Sequence, residues 1–276
     1  MPCSQRRNAT TYWCDPRMRG LSLLHADFTD HEYRPHTHSE LVVAVTESGG
    51  AIIKSRGAEA EACPGTLFVL NPGEVQSARM GLSQRWVYRS FYFDQQTLED
   101  IGHGLGLPKL PSFPSSTIGD RGLIAELRTL HQALERQGEV SEIRELLIQA
   151  FARMLECRRT VVRPLDDGPY DCARFRKVAA VVREHRSGEL RLDELAAIAE
   201  LSVFQLIRLF KRVAGLTPHA YLVQLRLADA RRHLRNGMPI PEVATAAGFY
   251  DQSALTNHFR RSFGITPRQY AKAVRR

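Results

Sequence analysis

The feature that most limits what this chain can fold into is an internal repeat near its C-terminus. Lys211-Arg-Val-Ala-Gly-Leu-Thr-Pro-His-Ala-Tyr221 returns 49 residues later as Arg260-Arg-Ser-Phe-Gly-Ile-Thr-Pro-Arg-Gln-Tyr270. Upstream, Leu192-Asp-Glu-Leu-Ala-Ala-Ile-Ala199 returns after 48 as Ile240-Pro-Glu-Val-Ala-Thr-Ala-Ala247, so the turn of the second copy holds one extra residue. A unit that occurs twice is a supersecondary building block. Each copy reads as a short helix, a turn and a longer second helix. Alanines at 196, 199, 244 and 247 allow the close backbone approach of two steeply crossing helices, which is a helix-turn-helix layout.

Local signals set the ends of these helices. Ser202 and Asp251 are expected as N-caps, Gly215 and Gly264 as left-handed stops, and Thr217-Pro218 and Thr266-Pro267 as restarts. Leu206, Leu209 and Phe210, with Leu255 and Phe259, form the expected buried stripes. That leaves Phe204, Gln205, Ile207, Arg208 and Lys211 in one copy, and Ser253, Ala254, Asn257 and Arg260 in the other, facing outward toward base edges or phosphates. The helix from Pro218 to about Asn236 would be roughly 27 Å long, a rod able to set two such helices near the ~34 Å spacing of successive major grooves.

Charge supports a polyanionic partner. Residues 171 to 276 hold 19 basic and 9 acidic side chains, a net of +10, whereas the first 170 hold 19 and 21, a net of −2. A field so concentrated attracts nucleic acid. The pairs Lys211-Arg212, Arg231-Arg232, Arg260-Arg261 and Arg275-Arg276 are candidate phosphate partners.

At these residues the chain resembles the AraC family of bacterial transcription regulators, through Ser202-Val-Phe-Gln-Leu-Ile-Arg-Leu-Phe-Lys-Arg, Gly215-Leu-Thr-Pro, Gly248-Phe-Tyr-Asp-Gln-Ser-Ala-Leu-Thr-Asn-His-Phe-Arg-Arg and Gly264-Ile-Thr-Pro-Arg-Gln-Tyr. The resemblance implies a two-lobed helical domain on promoter DNA, with base-reading positions at Phe204, Ile207, Arg208, Gln252, Ser253 and Asn257. It also implies a dimer that activates transcription and contacts RNA polymerase.

The first hundred residues read as β structure. Leu41–Val45, Ala51–Ile53, Thr66–Leu70 and Trp86–Phe93 are β-branched or aromatic and are separated by Gly49-Gly50, Pro64-Gly65 and Pro72-Gly73, the pattern of a small barrel or sandwich. His36-Thr-His38-Ser-Glu40, Pro64-Gly65 and Asn71–Gln76 resemble the cupin-like sensor domain found in many such regulators. His36, His38, Glu40 and Gln76 are read as polar effector contacts alongside Trp86, Tyr88 and Tyr92, whose alternation puts them on one strand face. A three-ligand metal site is the other reading, but Gln76 is a poor ligand, so no metal or cofactor is expected. The aromatic residues could equally be plain core. Arg79, Arg85 and Arg89 suggest an amino acid or other carboxylate as effector.

Pro108–Pro114 breaks the chain before a helix pair joined at Gln137-Gly138, with Ser141 as N-cap of its second member. The stripe Leu123, Leu127, Leu130 and Leu134 is either a dimer seam or packing on the chain's own barrel. A second break, Arg163–Pro169, precedes roughly seven helices.

The expectation is a two-domain α+β protein: a cupin-like β-barrel (1–110), a helical hairpin and linker (111–168), and an all-α domain with two helix-turn-helix units (169–276). No signal peptide or apolar span is seen, and the five scattered cysteines read as reduced thiols, all consistent with a cytoplasmic location. The function expected is ligand-responsive transcription regulation without enzymatic activity. The alternative is a cupin metalloenzyme fused to a DNA-binding domain. A DNA-repair alkyl acceptor would need a reactive cysteine in a metal cluster, which these spacings do not offer.

Overall fold

The computed structural model describes residues 8–157, 169–188 and 190–275. They fall into two compact units, one within 8–157 and the other within 169–275.

The first unit contains β1 (Ala9–Cys14), β2 (Leu21–Phe28), β3 (Tyr33–His36), β4 (Leu41–Gly49), β5 (Ala51–Ser55), β6 (Ala58–Ala62), β7 (Leu67–Leu70), β8 (Gln76–Met80), β9 (Trp86–Phe93), α1 (Gln95–Gly104), β10 (Thr117–Ile118), α2 (Arg121–Glu135) and α3 (Val140–Glu156). Its strands form two antiparallel sheets, ordered β1-β2-β9-β4-β7-β10 and β3-β8-β5-β6. The β-rich fold with a helical hairpin is as expected, in the form of two sheets. The four strands read from sequence correspond to β4, β5, β7 and β9. Short or edge strands such as β3, β6 and β8 lack the long apolar runs that mark the others.

The central strand β9 of the larger sheet is buried on both faces, every residue from Trp86 to Phe91 included. Phe91 and Phe93 of β9, Val43 and Val45 of β4, Leu21 and Leu23 of β2, and Leu67 and Val69 of β7 share one core with Leu123, Leu127, Leu130 and Leu134 of α2 and Ile143, Leu147 and Phe151 of α3. The leucine stripe is therefore buried inside its own unit, each member at most 1% exposed, and is not available as a dimer seam. At about 1.5–3 kcal/mol for each fully buried leucine, exposing it would be costly. Ser141 does not cap α3; Glu139 occupies that position, without a side-chain cap bond. The proline-rich connector is held down by Asn71, whose Oδ1 accepts from Phe113 N and whose Nδ2 donates to Phe113 O, each at 2.9 Å.

The second unit is helical: α4 (Pro169–Glu184), α5 (Leu192–Ile198), α6 (Val203–Ala214), α7 (Pro218–Arg235), α8 (Ile240–Ala246), α9 (Gln252–Phe263) and α10 (Pro267–Val274). Most of the second break, residues 163–168, lies outside the described residues. Val178 and Val182 of α4 pack with Leu195, Ala196, Ala199, Leu206, Phe210 and Leu222. Farther along, α7 packs against α8, α9 and α10, burying Leu227, Ala230, Leu234, Val243, Ala244, Ala247, Leu255, Phe259 and Tyr270. One helix thus belongs to both repeat units.

Candidate nucleic-acid interface and effector site

Both repeat units are built by the caps their sequences call for. Ser202 Oγ accepts from Gln205 N at 3.3 Å while Gln205 Oε1 accepts from Ser202 N at 2.9 Å, a reciprocal capping box. Asp251 Oδ1 accepts from Ala254 N at 2.6 Å. Helices α6 and α9 end at Gly215 and Gly264, with φ of 68° and 72°. The turns differ. The first reverses at Glu200 (φ 56°), the second at Gly248 (φ 82°), followed by one additional residue. A Cβ on Gly248 would stand 2.8 Å from Ser187 Cα and O, so only glycine fits both the conformation and the space.

On α6, Phe204, Gln205, Arg208, Lys211 and Arg212 are exposed and Ile207 is half-buried; on α9, Gln252, Ser253, Asn257, Arg260 and Arg261 are exposed. These residues make two separate patches, one on each second helix. Two of them also serve the fold: Gln205 completes the capping box, and Arg212 is ion-paired with Asp171 on α4. Arg208 lies over the Phe204 ring, 5.8 Å from its centroid. The arginines of the other pairs that are described make contacts within the unit, although Arg232 and Arg275 are themselves exposed. Arg231 lies over the Phe263 and Tyr270 rings, Arg232 pairs with Asp229 at 2.7 Å, and Arg275 donates to Met238 O.

In the first unit, His36, His38, Glu40 and Gln76 are all buried, as are Trp86 and Tyr88, with Tyr92 half-buried. Register explains the convergence. His36 stands opposite Gln76, and Gln76 opposite Ser55, so three polar side chains line one row across the smaller sheet. Trp86, Tyr88, Ser90 and Tyr92 alternate along β9 on the face turned toward that row. The sheets meet where the Tyr33 and Tyr88 hydroxyls lie 2.5 Å apart and where the His38 and Tyr92 rings are 5.4 Å apart. Trp86 Nε1 donates to Thr46 Oγ1 at 3.1 Å. Tyr33, Thr46, Ser55 and Ser90 escaped the sequence reading, although Ser90 shares the Trp86/Tyr88/Tyr92 parity.

Hydrogen bonding fixes the histidine tautomers. His36 Nδ1 lies 2.6 Å from the Arg34 carbonyl and must donate to it, so His36 Nε2 is an acceptor. It faces His38 Nε2 at 3.0 Å and the Gln76 amide nitrogen at 3.3 Å, both therefore donors. Burial pushes the His36 pKa down to about 4, against the bond to Arg34 that favours the charged ring. This donor set does not suit a metal ion, since the two Nε2 atoms serve each other, Glu40 accepts from Ser39 and Gln76 offers only an amide. Among the described residues no group of three His, Cys, Asp or Glu is placed to hold one.

None of the arginines expected to meet a carboxylate effector points there. Arg79 pairs with Glu59, Arg85 with Asp27 at 2.7 Å, and Arg89, on the opposite face of β9, with Glu47 at 2.7 Å and Glu135 at 2.9 Å. Arg89 Nη1 also lies 3.1 Å from Nδ1 of His131, a fully buried side chain whose pKa burial pushes down to about 3, with the Arg89 charge acting in the same direction.

Two family profiles match the chain: an AraC-like ligand binding domain over residues 20–151 and a helix-turn-helix domain over residues 195–273. The HTH-type transcriptional regulator YbfI of Bacillus subtilis is 26% identical over 221 residues, 80% of each chain. The HTH-type transcriptional activator RhaS of Enterobacter sp. (strain 638) is 29% identical over 180 residues, 63% of each chain. The crystal structure of ToxT from Vibrio cholerae O395 superposes with a TM-score of 0.52 at 10% identity, covering 98% of this chain and 99% of that one, which shows a common fold. No described helix is long and apolar enough to cross a membrane. With a ligand-binding domain of this type followed by a tandem helix-turn-helix domain, the chain belongs to the AraC family and is a ligand-responsive, DNA-binding transcription regulator.

Proposed function

We propose that this regulator is a cytoplasmic homodimeric activator whose effector sits between the two sheets of residues 1–110. In this reading the helix pair within 111–168 relays its presence, and residues 169–276 bind promoter DNA and contact RNA polymerase. The observation that carries the DNA-binding part is the pair of exposed, similarly capped helices α6 and α9 in the basic half of the chain. Phe204, Ile207 and Arg208, with Gln252, Ser253 and Asn257, read bases; Lys211, Arg260 and Arg261 meet phosphates. Gln205 and Arg212 join them at the edge of the patch, Arg212 after exchanging Asp171 for a phosphate.

The effector we propose is uncharged and polar, because the arginines that suggested a carboxylate are spent on Glu59, Asp27, Glu47 and Glu135. Its contacts are His36, His38, Glu40, Gln76, Trp86, Tyr88 and Tyr92. Ser55 and Ser90 have buried hydroxyls without a hydrogen bond, a capacity such an effector would satisfy. Strand β9 carries the signal: one face presents Trp86, Tyr88, Ser90 and Tyr92, and the other grips α2 through Arg89. An effector that favours one arrangement of β9 and α2 shifts the population competent for DNA. We propose no enzymatic activity, since the amide of Gln76 stands where a cupin metal site has a further histidine beside its first-motif ligands. The dimer seam lies away from the buried leucine stripe.

The test is affinity for promoter DNA with and without each member of a metabolite panel, and transcription from that promoter in parallel. A compound that changes both supports the reading. Unchanged binding and transcription across a broad panel would count against the sensing role.

A further inference from the structure

The one-residue difference between the two repeat units falls on a specific side chain. In the first turn Ala199, Glu200 and Leu201 lead to the cap Ser202; in the second, Ala247, Gly248, Phe249 and Tyr250 lead to the cap Asp251. Tyr250 is the additional residue. Its neighbours are all committed to the fold. Gly248 makes the reversal against Ser187, Phe249 is buried at 7% exposure with its ring 5.8 Å from that of His258, and Asp251 caps α9. Tyr250 has no such role, being 97% exposed. Packing therefore accounts for neither its size nor its position. A large aromatic side chain is held in solvent by a turn fixed on both sides.

We infer that Tyr250 is a DNA-contact residue, its phenol hydroxyl donating a hydrogen bond to a phosphate oxygen at the edge of the groove that α9 enters. In helix-turn-helix proteins the N-terminal residues of the recognition helix face the bases, which places the residue just before the cap beside the sugar-phosphate backbone. The division of labour along α9 agrees. Ser253 and Asn257 are short where the first unit presents Phe204 and Arg208, and Tyr250 supplies the reach that this helix lacks. A phosphate contact fixes register without reading sequence, so Tyr250 adds affinity and positioning rather than base preference.

This inference rests on the DNA-binding reading, and the experiment separates the two. The full-length protein, as wild type, Tyr250→Phe and Tyr250→Ala, is titrated onto an operator selected in vitro from a random pool and onto a random-sequence duplex, across a range of salt. Tyr250→Phe is expected to weaken both by about tenfold, the effect of one hydrogen bond to a charged acceptor, and Tyr250→Ala by at least as much. The slope of log affinity against log salt should stay at the wild-type value because a neutral hydroxyl displaces no counterion, whereas Arg260→Ala should lower it by about 0.9. Thermal unfolding should be unchanged in both Tyr250 variants. Affinities within twofold of wild type on both duplexes would overturn the inference, as would a loss confined to the selected operator, which would make Tyr250 a base reader. Wild-type protein that binds neither duplex would overturn the DNA-binding reading instead.

Discussion

Arg89 and Glu135 are joined at 2.9 Å between β9 and the last turn of α2, so the strand that faces the proposed effector is tied to the helix behind it by an ion pair whose arginine side chain is only 9% exposed. Glu47, His131 and His25, the last 3.3 Å from Glu47, belong to the same cluster. Replacing Arg89 with Met would remove the shared cation of two carboxylates, leaving Glu47 with His25 and Glu135 with solvent. Breaking a buried pair by removing one partner costs about 3–5 kcal/mol, and the half-exposed Glu135 places this case near the lower figure. Urea unfolding followed by tryptophan fluorescence should show a loss of about 3 kcal/mol, together with an effector response that no longer reaches DNA binding. A loss under about 0.5 kcal/mol would mean the pair carries no weight.

Acid should weaken the sensing unit. His36 titrates near 4 and His131 near 3 because burial disfavours their charged forms, whereas an unfolded histidine titrates near 6.5. Between these values the unfolded chain binds more protons, so stability is complete above pH 6.5 and declines as the pH falls toward 4. From pH 7 to pH 5 the decline should be about 2 kcal/mol for each histidine. His36→Gln should flatten the profile by one histidine's share, measured by urea midpoints at several pH values. A profile with the wild-type slope in that variant would contradict the assignment.

Gly248→Ala should destabilise the DNA-binding unit by about 2 kcal/mol or more, since the added methyl meets Ser187 backbone at 2.8 Å at a positive φ. At the matching position Glu200→Gly should be neutral or stabilising, because Glu200 already holds φ at 56° without needing its Cβ. Thermal unfolding should show a clear loss for Gly248→Ala and no loss for Glu200→Gly.

Arg208→Ala should cost on the order of 1–3 kcal/mol on a selected operator and relax its base preference, while Lys211→Ala should weaken all sequences alike and lower the salt slope by about 0.9. Competition binding between selected and random duplexes reads both. Equal losses on both duplexes for Arg208→Ala would move it from base reader to phosphate contact.

The helical half was largely legible because its rules are local. Ser202, Asp251, Thr217-Pro218 and Thr266-Pro267 each announce a helix start within four residues, and each does so in the structure. Even the double duty of Gln205 was written in the spacing Ser202-Val-Phe-Gln205, a capping-box pattern. Ser141 misled because the N-cap of α3 falls two residues earlier, at Glu139, with no side-chain cap bond. The β half was harder, since its decisive contacts are remote: Arg89 meets Glu47 and Glu135, 42 and 46 residues away, and no short pattern encodes either. Strand parity nevertheless held a clue. Trp86, Tyr88 and Tyr92 are even-numbered and Arg89 is odd, which already puts the arginine on the far face of β9.

The sharing of α7 sets a grammar for the DNA that this protein can use. Leu222 of α7 is buried in the core of the first reading head and Leu227, Ala230 and Leu234 in that of the second, so the heads are fixed to one 18-residue helix rather than strung on a tether. If α6 and α9 both read bases, the two words of an operator must lie at one fixed separation, expected near one turn of the duplex. Because B-DNA turns once in about 10–10.5 base pairs, half a turn inserted between the words presents the second to the wrong side of the double helix, and no adjustment within α7 can follow it.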